Sequence, residues 1–206
     1  MADSVYAPPK AHLGSGQTAL AHPFYVVSPL KAMILMLGTV GGYALYWHYQ
    51  NWLMFKQDAQ NRQSEDADII PVVRTIFALF YTHALMSEVE THRNATGRAA
   101  TGNSGTSATA IVLITIVSYI LSFFPQTSSY YVPATVVSLV LVVPLTFAYR
   151  AAQKYINASC GDPQGASNAR FTAANIVWLL IGIGLWILVI SGLFVGDPAT
   201  AAAAAE

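Results

Sequence analysis

Charge is what this sequence has least of. Lys, Arg, Asp and Glu make up 10% of its 206 residues, against about a quarter in an ordinary soluble domain. That is too little to solvate a globular surface. The ten basic and ten acidic side chains cancel to a formal net charge of zero. No basic excess exists to neutralise phosphates, so nucleic acid is excluded as a partner. No acidic or polar tract marks a disordered solvating chain. A single cysteine, Cys160, rules out an intrachain disulfide and leaves the redox compartment unread. Catalytic signatures are missing too: there is no nucleophile elbow, phosphate-binding glycine loop, zinc-type Cys/His cluster or paired catalytic carboxylate.

Long apolar runs are what the sequence does have. Three are free of charged residues: Ala32–Gln50, Ala99–Tyr149 and Phe171–Gly196. A bilayer crossing takes about 20 predominantly apolar residues. The first and third runs each supply one span. The middle run is too long for one crossing and is broken by Pro125-Gln-Thr-Ser-Ser129, so it supplies two. Spans are therefore expected over about 29–50, 108–124, 131–150 and 173–196. Tyr43, Tyr46, Trp47, Tyr49 and Trp52 form an aromatic belt of the kind found at headgroup level, with Tyr130, Tyr131 and Tyr149 at the ends of the third span. Thr172 is placed to cap the last helix. Residues 1–28 lack the apolar core of a signal peptide and read as a flexible tail containing Pro and Gly. Residues 197–206 read as an Ala-rich tail, leaving 29–196 as the membrane domain.

Residues 69–90 are ambiguous between a fifth span and a shorter helix. Arg74 and His83 lie inside the segment, and an arginine at mid-membrane costs roughly 2.5–3.5 kcal/mol on the insertion scale. The stretch from Arg74 to Ser87 is short, which favours an interfacial or re-entrant helix. The expected fold is thus all-α: a polytopic membrane bundle of four spans plus this helix. With four spans, eight basic residues face two across the membrane. With five, the split is seven against two, with Arg74 inside. Both arrangements put the 150–173 loop in the cytoplasm and the C-terminus outside, and only the N-terminus changes sides.

Spans two to four contain no Asp, Glu, Lys, Arg or His. Proton relays, ion-coupled transport and carboxylate-bound metals use such residues, so those classes are disfavoured. His48 and His83 are the near-membrane histidines; as haem or copper ligands they would have to meet in space. No cofactor is expected. Thr115, Ser118 and Ser122 form a polar stripe on the second span, and Thr135, Ser138 and Thr146 a looser one on the third. A pore lining is one use for these stripes, and helix packing the more economical one. Gly38-x-x-x-Gly42 and Gly192-x-x-x-Gly196 also favour close helix packing. Arg150, Lys154 and Arg170 flank the cytoplasmic loop, where they are candidates to hold an anionic lipid headgroup or simply to fix orientation.

Three blocks carry a resemblance. They are Ser28-Pro-Leu-Lys31 with Gly42-Tyr-Ala-Leu-Tyr-Trp-His-Tyr-Gln-Asn-Trp52, Pro71-Val-Val-Arg-Thr-Ile-Phe77 with Phe80-Tyr-Thr-His-Ala-Leu85, and Ile156-Asn157 through Asn168-Ala-Arg-Phe-Thr172 to Asn175. Together they resemble a family of uncharacterised bacterial multi-pass inner-membrane proteins, over about residues 24–195. The leader Tyr6-Ala-Pro-Pro-Lys10 is similar to short leaders on such proteins. The chain departs from the pattern at Gln50, where a basic residue often precedes Asn-Trp. The resemblance implies a bacterial inner membrane and carries no reaction or ligand. It singles out Arg74 and His83, inside the second block, as a site or as a structural lock.

With many packing residues and no chemical constellation, the sequence favours a non-enzymatic component. It would assemble with itself or with a membrane protein partner in the lipid bilayer. A small-solute channel or transporter using Thr115, Ser118 and Ser122 is the alternative, and a haem-binding redox subunit the third.

Overall fold

A computed structural model describes residues 22–125 and 127–195. The described residues are helical with no strands, so the chain is an all-α bundle of the kind expected. Seven α-helices follow in order: α1 (Pro29–Gly38), α2 (Tyr43–Asn61), α3 (Pro71–Ile76), α4 (Ala78–Thr96), α5 (Ser104–Ser122), α6 (Tyr131–Ser159) and α7 (Ala173–Val195). Three of them, α5, α6 and α7, are long and apolar enough to cross a membrane. Their ends follow local chemistry. The Asn103 side chain accepts the Thr106 N–H at the start of α5, and the Thr172 hydroxyl accepts the Asn175 N–H at the start of α7. The Thr172 cap is therefore present. The spans expected at 108–124, 131–150 and 173–196 correspond to these helices, with α6 running nine residues further, through the amphipathic stretch after Arg150.

The run expected as one span over 29–50 is two helices. Its first half, α1, starts from Pro29 at a position that needs no N–H, and Lys31 meets the Arg170 carbonyl at the foot of α7. Further along, Gly38 lies against Gly182, nine residues into α7. The chain then turns through Val40 and Gly41, both at positive φ. The second half, α2, retraces the route: Gly41 lies beside Leu145, His48 meets Tyr149, and Trp47 meets Gln153. Asn51 reaches back to Tyr25, ahead of α1. At ten residues α1 is about 15 Å long, half the hydrocarbon thickness. This is a helical hairpin, and the reason is the Thr39-Val-Gly-Gly42 turn. Its N–H groups are met by the Leu35, Leu37, Met36 and Thr39 carbonyls, so the chain reverses with its donors satisfied.

The ambiguous segment is a second, shallower hairpin bent at Phe77. On the way in, α3 runs antiparallel to α2: the Ile69 carbonyl accepts Lys56 Nζ and the Arg74 guanidinium lies 4.2 Å from the Trp52 ring. Coming back, α4 runs against α5, with His83 on Thr109 and Glu90 on Ser104. The expectation of an interfacial or re-entrant helix here matches this path.

The core is concentrated at the end of the molecule where both hairpins open. It contains Phe24–Val27, from the end of the segment read as a tail, alongside Leu35, Trp47, Trp52, Leu85, Met86 and Ile156. Four apolar residues between two prolines are too few for a helix. They run extended, and side-chain amides replace the missing strand partners. Asn51 accepts the Tyr25 N–H, Gln153 donates to the Tyr25 carbonyl, and Asn168 donates to the Val26 carbonyl. The rest of the expected tails, residues 1–21 and 197–206, lies outside the described residues, as does Gly196 at the end of the expected last span.

Candidate functional site

The two hairpin tips meet α5 and α6 around a cleft of about 530 Å³, within the size range of small-molecule sites. Val40, Gly41, Ala44 and Leu45 line it from the first hairpin, and Thr75–Phe80 and Thr82 from the second. From α5 come Ile111, Thr115, Ser118 and Tyr119, and from α6 Thr135, Ser138, Val142 and Leu145. No Asp, Glu, Lys or Arg lines it.

Its inner end is closed by a polar layer. His48 and Tyr149 share a hydrogen bond of 3.1 Å, and the Trp47 ring stands edge-on to both. Behind them Trp47 Nε1 donates to Gln153 Oε1 at 2.5 Å, and Gln153 Nε2 donates to Asn157 Oδ1 at 2.7 Å. Every member of this chain is buried. The Trp47–Gln153–Asn157 chain fixes one packing and shuts the cleft from the loops beyond, while His48 Nδ1 is buried without a hydrogen-bond partner among the described residues.

Four of the eight hydroxyl groups that line the cleft are committed to their own helices. Thr75 donates to the Pro71 carbonyl, Thr82 to Ala78, Thr115 to Ile111 and Thr135 to Tyr131, all at 2.7–2.8 Å. The Ser138 hydroxyl is buried and has no partner among the described residues.

The residues singled out from the sequence separate into groups. Thr115 and Ser118 line the cleft, and Thr135 and Ser138 face it from α6. Ser122, in contrast, bonds the Tyr119 carbonyl of its own helix and lies outside the lining. Gly38 packs within the chain, since a Cβ on Gly182 would fall on the Gly38 carbonyl. Gly42 closes against the Thr39 carbonyl of its own turn, Gly192 lies near the Tyr131 hydroxyl, and Gly196 is outside the described residues. Arg74 is clasped by Trp52 and Tyr81, at 4.2 and 5.3 Å from their ring centroids. His48 and His83 do not share a site: His48 is buried against Tyr149, and His83 is exposed on α4 with Thr109. Among the described residues no three His, Cys, Asp or Glu side chains converge as metal ligands. Lys154 and Arg170 are exposed and Arg150 half-buried, at the end where the hairpins open.

That end carries all the charge of the described residues. Lys31, Lys56, Arg62, Arg74, Arg93, Arg98, Arg150, Lys154 and Arg170 lie there, as do the seven described carboxylates. The described part of the 123–130 loop at the opposite end has none. Asp162, in the 160–172 loop, accepts the Ser167 and Ala166 N–H groups, and these bonds hold its carboxyl below the usual range.

Tip residues and cleft were not visible as a unit in the sequence. The two hydroxyl stripes pointed to α5 and α6, and the glycine pair at the turn was the signal for the hairpin. Comparison with known proteins finds no matching family model, no matching curated protein and no matching solved structure.

Proposed function

We propose that this integral membrane protein binds a small uncharged molecule in the cleft, as a solute-binding channel or carrier rather than an enzyme. The observation that carries the proposal is the cleft: α5, α6 and the tips of the two hairpins enclose it, and no Asp, Glu, Lys or Arg lines it. Interrupted backbone at membrane depth is tolerated where it is buried in protein or lines a cavity, and membrane transporters use it to build their sites. A charged ligand would have no counter-ion there. The inner end closed by His48 and Tyr149 fits a site reached from the other end or from the lipid.

The test is to purify the protein in lipid nanodiscs and identify co-purifying small molecules by mass spectrometry. Ser118→Leu, which fills the cleft, is expected to lose the bound molecule and keep its thermal unfolding midpoint. Equal occupancy in wild type and variant counts against the reading.

Assembly with a second copy or a membrane partner is the other reading, supported by one observation. Among the helices, α7 packs chiefly against α1, and Ile176, Val177, Leu180, Ile183, Ile187 and Leu188 are exposed along it. Lipid is the alternative cover, and a native mass in mild detergent separates the two.

The proposed address is a bacterial inner membrane, following the quoted motifs. The charge rule places the basic end in the cytoplasm, with the 150–173 loop, and the C-terminus outside. With 29–50 as a hairpin, all nine described basic residues fall on one side, a sharper bias than either topology expected from the sequence.

A further inference from the structure

We propose that the cleft takes one long hydrocarbon chain of a lipid, its end seated on the His48–Tyr149 pair; this rests on the cleft being a ligand site. The cleft is elongated. Its wall on α6 is Thr135, Ser138, Leu139, Val142, Leu145 and Tyr149, residues three and four apart on one helix face. At 1.5 Å per residue that face is about 21 Å long. Spread over this length, the volume of about 530 Å³ gives a slot on the order of 25 Å² in section. One extended alkyl chain fits such a slot. A compact solute leaves most of it empty, and the walls then lose the contacts they would make.

Depth points the same way. The hairpin tips stop midway, so beyond them the slot faces the hydrocarbon. Its rim is apolar and exposed at Leu45, Ile76, Phe77 and Phe80. Chains of the leaflet opposite the basic end lie at this level, and their tails reach the midplane where the slot goes under the tips.

Eight hydroxyls line the slot, and few of them call for a partner. Thr75, Thr82, Thr115 and Thr135 donate to carbonyls of their own helices. Tyr149 is paired with His48 at the floor. The Ser138 hydroxyl and His48 Nδ1 are sealed inside the wall, out of a ligand's reach. Ser118 and Tyr119 remain, one turn from the outer end of α5, where the polar head of a chain-bearing lipid would emerge. A hydrocarbon chain leaves every one of these pairs intact, whereas a ligand seeking donors deeper in the slot must compete with a helix carbonyl.

Photoreactive lipids test this on the full chain in phosphatidylcholine nanodiscs. A palmitoyl chain carries a diazirine either on its terminal carbon or beside the ester, and is supplied as a monoacylglycerol or as phosphatidylcholine. The terminal label is expected around His48 and Val142–Tyr149, and the ester-side label around Ser118, Tyr119 and Thr135. Labelling from phosphatidylcholine makes the bilayer the source of the chain; labelling from the monoacylglycerol alone makes it a free single-chain lipid. Leu139→Trp, which plugs the slot between rim and floor, is expected to lose the terminal label at the floor and to keep the labels along α7. Floor labels that survive this substitution overturn the path along α6. The wild-type pattern decides by itself as well: terminal and ester-side labels with the same distribution overturn the chain. If a molecule still co-purifies with the protein, the cleft survives as a ligand site; if none does, both readings fall.

Discussion

Asn157 holds Val27 as one strand holds another. Its Nδ2 donates to the Val27 carbonyl at 2.9 Å, and its Oδ1 accepts the Val27 N–H at 3.4 Å. One amide on α6 thus stands in for a whole strand partner, 130 residues away in sequence. Asn157→Leu would leave both backbone groups buried and unmet. The expected loss is about 2 kcal/mol or more, read as a lowered thermal midpoint in detergent. Asn157→Asp keeps the acceptor and loses the donor, so it should fall between.

Gly165 has φ +62°, and a Cβ there would land on the Val27 carbonyl group. Gly165→Ala therefore combines backbone strain with a collision against a segment held by amides on two sides. A destabilisation of about 2 kcal/mol or more is expected. Gly97→Ala, with similar φ but open space around it, should cost less. Equal midpoints for the two variants would contradict the packing of Val27 on the loop.

Arg74 between Trp52 and Tyr81 ties the second hairpin to the first. Arg74→Gln keeps a long polar side chain and removes the cation. A loss of about 0.5–2 kcal/mol is expected, with Arg74→Lys in between. If Arg74 instead served the cleft, ligand occupancy would fall with no change in midpoint.

Asp162 makes stability depend on acid. Its folded carboxyl lies below the ordinary value because the Ser167 and Ala166 N–H groups bond the charged form. Its contribution is complete above the unfolded value near pH 3.9 and disappears as the pH falls through the lower folded value. Asp162→Asn should flatten the part of the midpoint–pH curve below about pH 4 and lower the midpoint at neutral pH. An unchanged curve would mean that the 160–172 loop does not support the fold.

The hairpin makes a topological prediction that a crossing does not. In a Cys160→Ala background, single cysteines at Glu65 and Gln164 should react with an impermeant thiol reagent from the same side. One at Ser129 should react from the other. Labelling of Glu65→Cys and Gln164→Cys from opposite sides would make 29–50 a true span.

The crossing helices were legible because span length and apolarity are local, additive signals. Ala99–Tyr149 divides at Pro125 in the sequence and in the structure alike. The hairpin over 29–50 was hidden from the same signals, since residues that turn back inside a bilayer are as apolar as residues that cross it. Only Gly41 and Gly42 mark the turn. Phe24–Val27 were missed for a different reason: an extended segment with no strand neighbour depends on Asn51, Gln153, Asn157 and Asn168, and no local pattern announces such distant partners. The cleft was half legible. Thr115 with Ser118 and Thr135 with Ser138 stood out as stripes, but that the stripes face one space is a property of how α5 and α6 pack. The close approach of Gly38 to Gly182 within the chain went unnoticed because the contact spans 144 residues.

Both hairpins turn back midway, so seven helical segments share one half of the molecule and three the other. The protein is a wedge. In a bilayer its broad half displaces more area from one leaflet than its narrow half does from the opposite one. Lipids must make up the difference, either by tilting around the narrow end or by bending the sheet. Crowding many copies into one patch would then curve the membrane toward the broad face, giving this fold a mechanical effect on its surroundings independent of what the cleft holds.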